Sequence, residues 1–173
     1  MMSGPSKWVE REFDFVIPVE NFPNLCSRLH GTPARLEDLL RGHSPQELTK
    51  KTDNKWSIQE HAGHILDLEP LWDDRVSDFL SGSGRLTAAD LNNNKTNEAN
   101  HNAREVTSIL DEFRQKRFHL LDRVERLDKA ALSRTLTHPR LQQPMRLIDH
   151  LYFIAEHDDH HLARIWEMLT TAG

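Results

Sequence analysis

Near the C-terminus, Leu147, Leu151, Ile154, His161 and Ile165 recur at three- and four-residue steps, the spacing of one helical face turned toward a core. His157 and His161 sit four residues apart on this segment, so in a helix both imidazoles leave the same side one turn from each other. Two histidines on a core face need either hydrogen-bond partners or a metal. At this spacing they form a two-pronged grip for a divalent ion, imidazole being the commonest metal ligand among side chains.

Three further stripes have the same period. Leu36, Leu39 and Leu40 follow Thr32 as a candidate N-cap, with Pro33 at the first helical position and Gly42 closing the helix. A separate short helix over residues 24–30 precedes them, and Ser44-Pro45-Gln46-Glu47 can open one more turn. Ser57-Ile58-Gln59-Glu60 fits a capping box. The stripe Ala62, Ile65, Leu66, Trp72, Val76, Phe79 and Leu80 carries that helix to the Ser81-Gly82-Ser83-Gly84 breaker, with Pro70 inside it. From Glu105 onward Val106, Ile109, Leu110, Phe113, Phe118, Leu121, Val124 and Leu127 form a third stripe, predicted to end before Ser133. A connection through His138, Pro139 and Pro144 leads to the last helix, predicted over residues 145–170.

Four long apolar stripes with no strand pattern and no internal repeat predict an all-α fold, an antiparallel four-helix bundle. Residues 1–23, in which Phe13, Phe15 and Ile17 alternate ahead of Pro18 and Pro23, read as an extended arm laid over the bundle of residues 24–173. The chain's 173 residues make one domain. The Asn-rich stretch 92–102, within the polar segment 86–102, has no clear period, and excursions of that length are often functional or mobile.

Charge and cysteine usage narrow the function classes. With 22 Lys and Arg against 27 Asp and Glu, the net charge of −5 and the lack of a basic run give no footprint for nucleic acid. Nothing resembles a signal peptide or a membrane span. The single cysteine, Cys26, has no internal disulfide partner and reads as a buried small hydrophobe, which suits a reducing, cytoplasmic setting.

Two histidines hold a metal weakly, and a catalytic mononuclear site usually has three protein ligands and an open position. The second long helix offers His61 and His64, on roughly the same side as Ala62, Ile65 and Leu66; periodicity slightly favours His64 without deciding between them. A ferritin-like di-iron centre needs two Glu-x-x-His elements, and the one obvious instance, Glu98-Ala99-Asn100-His101, lies in the polar excursion. The His-Glu-x-x-His signature of metalloproteases is absent, as are a phosphate loop and a nucleophile elbow.

The segment Lys55-Trp56-Ser57-Ile58-Gln59-Glu60-His61-Ala62-Gly63-His64 resembles the element of the DinB/YfiT-like four-helix proteins in which a histidine follows a Trp-Ser/Thr pair, eight residues after the tryptophan. The segment from His157 to Ile165 resembles their C-terminal His-x-x-x-His helix, and Phe22-Pro23-Asn24-Leu25 with Leu39-Leu40-Arg41-Gly42-His43-Ser44 resembles the first helix and its turn. Asp53-Asn54 and His61 depart from the YfiT pattern of a Gly-containing turn and an apolar residue. The resemblance implies that His64, His157 and His161 bind one divalent ion, with zinc or nickel leading, and that the ion activates a thiol or water. It further implies a metal-dependent transferase acting with a low-molecular-weight thiol on a small-molecule substrate. The alternatives are a metal-dependent hydrolase and a non-catalytic metal-binding stress-response bundle, which could dimerise through one helical face.

Asp67, one turn beyond His64, is a candidate for orienting a ligand imidazole or a substrate. His150 shares the face of His157, while His160 is rotated roughly 100° from His161 and, with Asp158 and Asp159, reads as a polar flank. Glu156 reads as a solvated acid and Trp56 as a packing anchor. His30, His43, His119 and His138 form no constellation.

Overall fold

The computed structural model describes residues 7–171; the first six residues of the expected arm lie outside that range. Among the described residues there are seven α-helices, α1 (Phe22–Leu40), α2 (Pro45–Thr49), α3 (Ile58–Ser81), α4 (Asn94–Glu98), α5 (Val106–Val124), α6 (Lys129–Leu132) and α7 (Leu147–Thr171), with a small antiparallel hairpin of β1 (Thr135–Thr137) and β2 (Pro144–Arg146) between α6 and α7. The four long helices are the expected bundle. None of the described helices is long and apolar enough to cross a membrane.

Around the bundle, α1 packs on α5 and α7, and α3 packs on α5 and α7, so consecutive long helices α1 and α3 face each other diagonally. Cross-helix contacts fix the directions. Glu69 meets Arg117 and Asp73 meets Arg123, so α3 and α5 run parallel. His64 meets His157 while Trp72 meets His150, so α3 and α7 run antiparallel. Arg114 meets Glu37 and His30 meets Phe118, so α1 and α5 are antiparallel as well. The antiparallel order thus holds across two faces, and long connections make the other two parallel. After α3 the chain returns along the whole helix before α5 begins: Thr87 bonds to Asp78, Thr96 to Asp67, and the Gln59 amide to the carbonyls of His101 and Arg104. The Asn-rich excursion is therefore a strap along α3.

Several boundaries differ from the sequence reading. α1 is continuous from Phe22, with Pro33 inside it. Thr32 is no N-cap: its hydroxyl donates to the buried Asp158 carboxylate, 2.9 Å away, and Leu25, Leu29, Leu36 and Leu40 bury one face on both sides of the proline, which holds the helix together despite one missing amide. α5 stops at Val124, because Asp128 caps the separate helix α6 by accepting from the Ala131 amide. The capping boxes at Ser44 and Ser57 both form. Gly82 ends α3 at φ 70°, a left-handed position that glycine takes without strain.

The core comprises two apolar clusters. One is built around Leu29, Trp72, Phe79, Leu120 and Ile154, the other around Leu36, Ile65, Phe113 and Leu162. Between them lies a polar layer with one residue from each long helix: Thr32, Glu69, Arg117 and Asp158, all buried. Arg117 donates to Glu69 Oε1 at 2.6 Å and to Asp158 Oδ2 at 2.5 Å. Burial pushes the Glu69 carboxyl up to about 7 despite that partner. Cys26 is buried, and burial raises its thiol to about 11, in keeping with a packing role.

Beside the first cluster, the arm packs on α7. The Trp8 ring stands edge-on to Phe153 and to His157, at 5.0 Å from each, and Phe13 packs on Phe153. The arm thereby covers one side of the histidine-bearing stretch.

Candidate metal centre

α3 and α7 bring His64, His157 and His161 together at mid-bundle, all buried, with one ring nitrogen from each within 4.8 Å of the others. His157 Nε2 and His161 Nε2 face each other at 3.2 Å. Two lone pairs pointed at each other in an apolar surrounding repel unless a cation or a proton lies between them. A tetrahedral ion with nitrogens at roughly 2.0–2.1 Å separates neighbouring ligand nitrogens by roughly 3.3–3.4 Å. The donor set therefore fits one divalent metal.

Hydrogen bonds outside the cluster orient the His64 and His161 rings, while His157 Nδ1 is buried without a partner. The Thr96 hydroxyl donates its only proton to Asp67 Oδ2 at 2.9 Å, so at 3.0 Å it accepts from His64 Nδ1. His64 then carries its proton on Nδ1 and presents the Nε2 lone pair to the cluster. Asp67 does not bond His64 directly; Thr96 stands between them. The same Asp67 oxygen also bonds His101 Nε2 at 2.8 Å. Although burial pushes the Asp67 carboxyl up, the bonds from His101 and Thr96 bring it below its ordinary value. His61 lies outside the cluster, its Nδ1 3.0 Å from His161 Nδ1. With His161 donating there, its Nε2 lone pair is left free.

All three clustered imidazoles are held neutral. Burial lowers His64 to about 4, and lowers His157 and His161 well below the ordinary histidine value, neighbouring imidazoles adding to the effect. A metal requires deprotonated ligands, so the site is already in its binding form at neutral pH.

A cavity of about 280 Å³ opens beside the cluster, walled by Trp8, Trp56, Trp72, Phe153 and Leu68 and reaching Arg75, His138 and Arg140. It is accessible and largely apolar. Trp56 is part of its wall: its ring lies 4.7 Å from that of His64 and its indole N–H donates to Asn97 Oδ1 at 3.0 Å. His160 lines the cavity without joining the cluster. His150 does not line it; the ring is fully buried between Trp72 and Phe79. Glu156 is paired with Arg11 and Arg28 rather than solvated.

Thr96, His101 and His138 went unrecognised in the sequence, since all three lie outside the periodic stripes. The one local signal is Gly63, because a Cβ there would approach the His101 ring closer than 3.0 Å; a glycine inside a helix marks such a close approach.

The sequence profile of the DinB superfamily matches residues 28–165. The chain belongs to that superfamily. Among solved structures, YfiT from Bacillus subtilis, described as a probable metal-dependent hydrolase with an unusual four-helix bundle topology, superposes with a TM-score of 0.83 at 17% identity, covering 95% of this chain and 94% of that one. A mycothiol-dependent maleylpyruvate isomerase superposes with a TM-score of 0.66 at 9% identity, covering 84% of this chain and 60% of that one. At these identities the likeness is one of fold. None of the curated proteins matches the chain. In this DinB-superfamily chain the histidine cluster sits between two helices whose relative placement the shared topology sets.

Proposed function

We propose that this chain is a divalent-metal-dependent enzyme whose ion is held by His64, His157 and His161, with zinc or nickel the preferred metals, and that it transfers a low-molecular-weight thiol to a small electrophile. A divalent ion held there supplies a Lewis-acidic position that lowers the pKa of a thiol or water reaching it. The observation that carries the reading is the convergence of three buried, neutral imidazoles on the wall of an accessible cavity. Thr96 and His61 hold two of the rings in register, while Trp8, Trp56 and Trp72 limit water around the reacting groups.

A thiol is preferred over water because of what else lines the cavity. Hydrolysis asks for a general base beside the nucleophile; Asp90, the only carboxylate among the lining residues, is occupied by the Asn92 and Asn94 amides at 3.0 and 2.7 Å, which leaves that task to the His160 imidazole. A thiol, with an ordinary pKa of about 8.5, needs only a modest shift to ionise at neutral pH. The hydrolase reading has in its favour the description of the YfiT structure as a probable metal-dependent hydrolase.

The test is a rate. Protein loaded with zinc or nickel is mixed with cysteine, glutathione, mycothiol or bacillithiol and monochlorobimane, and the fluorescent thioether is followed. At least one thiol reacts well above background with the parent and at background with His157→Ala. Background rates with every thiol, together with metal-dependent turnover of ester or amide substrates, would favour the hydrolase.

A further inference from the structure

The end of the cavity away from the three histidines contains cationic and N–H donors that lack acceptors. Arg75 is 1% exposed and His138 2%. His138 Nδ1 accepts the Leu141 amide at 3.1 Å, so the proton of this imidazole is on Nε2. That Nε2–H faces Arg75 Nη1 at 3.3 Å, which sets donor against donor. Burial, reinforced by Arg75 and Arg140, holds His138 down at about 3, so it gains no second proton at neutral pH. Of the Arg75 donors, Nε is satisfied by the Thr87 carbonyl at 2.9 Å. Arg140 spends Nη1 on the Val9 carbonyl at 3.1 Å, while its Nη2 is buried without a partner.

Neither guanidinium has a carboxylate in hydrogen-bonding contact among the described residues. Burial is the leading influence on both, lowering Arg75 to about 10 and Arg140 below its ordinary value, and Asp78 acts on Arg75 only at a distance. Both remain charged at neutral pH. Arg75 is buried and Arg140 half-buried, and each guanidinium lies over an aromatic ring, Trp72 at 5.5 Å and Phe153 at 6.0 Å. Charge held there without an anionic partner is costly, and an anion accepting from both groups would reduce the penalty. From these residues we infer an oxyanion subsite: Arg75, His138 and Arg140 take the carboxylate or phosphate head of a small molecule whose apolar body lies along Leu68, Trp72 and Phe153 toward the three histidines.

The placement on α3 supports this. His64, Leu68, Trp72 and Arg75 follow at steps of four, four and three, one strip of the helix surface. His64 and Arg75 are roughly 16 Å apart along the axis, and both line the same cavity. The subsite rests on the reading of this cavity as a substrate site and adds the charge class of the substrate.

Binding of 3-phenylpropionate, phenyl phosphate and the neutral 3-phenylpropanamide is measured by calorimetry in phosphate-free buffer, with metal-free and zinc-loaded protein. The parent binds one or both anions at least about tenfold more tightly than the amide, a ratio that corresponds to about 1.4 kcal/mol. The tighter of the two anions identifies the head group. Arg75→Gln and Arg140→Gln each reduce the preference to threefold or less while keeping the parent's zinc content. If Arg75→Gln does not fold, Arg140→Gln, on the hairpin connection, carries the comparison. Equal affinity for anions and amide in the parent, or a preference undiminished in the folded variants, overturns the subsite. Because the preference is read without metal as well, loss of zinc binding on His161→Ala or its absence in the parent bears on the proposed metal site alone.

Discussion

Replacing Gly63 by alanine should destabilise this protein, although the same change in an ordinary helix interior stabilises by about 1 kcal/mol. Gly63 lies on α3 between Ala62 and His64, and the His101 ring occupies the space its side chain would take, closer than 3.0 Å to an added Cβ. His101 is 2% exposed, and its Nε2 bonds the Asp67 carboxylate that anchors Thr96 against His64. The new methyl must therefore push the ring off its partner. Overpacking costs about 1–3 kcal/mol and a lost hydrogen bond to a charged group about 1.5–3 kcal/mol. Allowing for partial relaxation and the gain in helix propensity, the net loss is about 1–3 kcal/mol. Urea unfolding of metal-free parent, Gly63→Ala, His101→Ala and the double variant forms a cycle. In the His101→Ala background the ring is gone, and the alanine should be neutral or stabilising by about 1 kcal/mol, giving a coupling of about 1–4 kcal/mol. A Gly63→Ala protein about 1 kcal/mol more stable than the parent, with no coupling to His101, would show that the strap does not press on α3 as described.

Two other outcomes follow from the same geometry. Thr96→Val removes the acceptor that fixes the His64 proton on Nδ1 and should weaken zinc binding about 10–100-fold, measured by competition with a chromogenic chelator; unchanged affinity would mean that the Thr96 bond does not orient the ring. Metal-free protein should lose stability as the pH falls. The folded His64 titrates at about 4 against an ordinary 6.5, so between those values the unfolded chain binds more protons than the folded one. The contribution is complete above about pH 6.5 and disappears as the pH drops through 4, amounting to roughly 3 kcal/mol for this residue. Denaturation series at pH 7 and 4.5 should show a smaller pH dependence in His64→Gln, and identical slopes in parent and variant would contradict the assigned burial.

The long helices were legible because each buries a continuous apolar face, and both Ser-led capping boxes form where the sequence has them. Thr32-Pro33 misled because the pair has the composition of a helix start, while its hydroxyl serves a tertiary bond to Asp158. Leu127 continued the α5 stripe past the true end because periodicity carries no information about the Asp128 cap. The meeting of His157 and His161 follows from helix spacing alone. The strap residues Thr96 and His101 reach the site only through the return of the chain along α3, and His138 only through the hairpin connection. Gly63 marks where the strap approaches α3 without encoding its path, and no local pattern encodes the hairpin connection. The buried Arg117 layer was similarly hidden, since a charged residue on an apolar stripe reveals its partners only when all four helices are in place.

The most direct measurement is elemental analysis of untagged protein and its His161→Ala variant, after exposure to zinc, nickel or manganese and removal of weakly held ions. The account predicts about one equivalent of metal in the parent and little in the variant, with both folded as judged by circular dichroism. A parent that takes up none of the three metals, or a His161→Ala protein that retains a full equivalent, would contradict the assignment of His64, His157 and His161 as the metal centre.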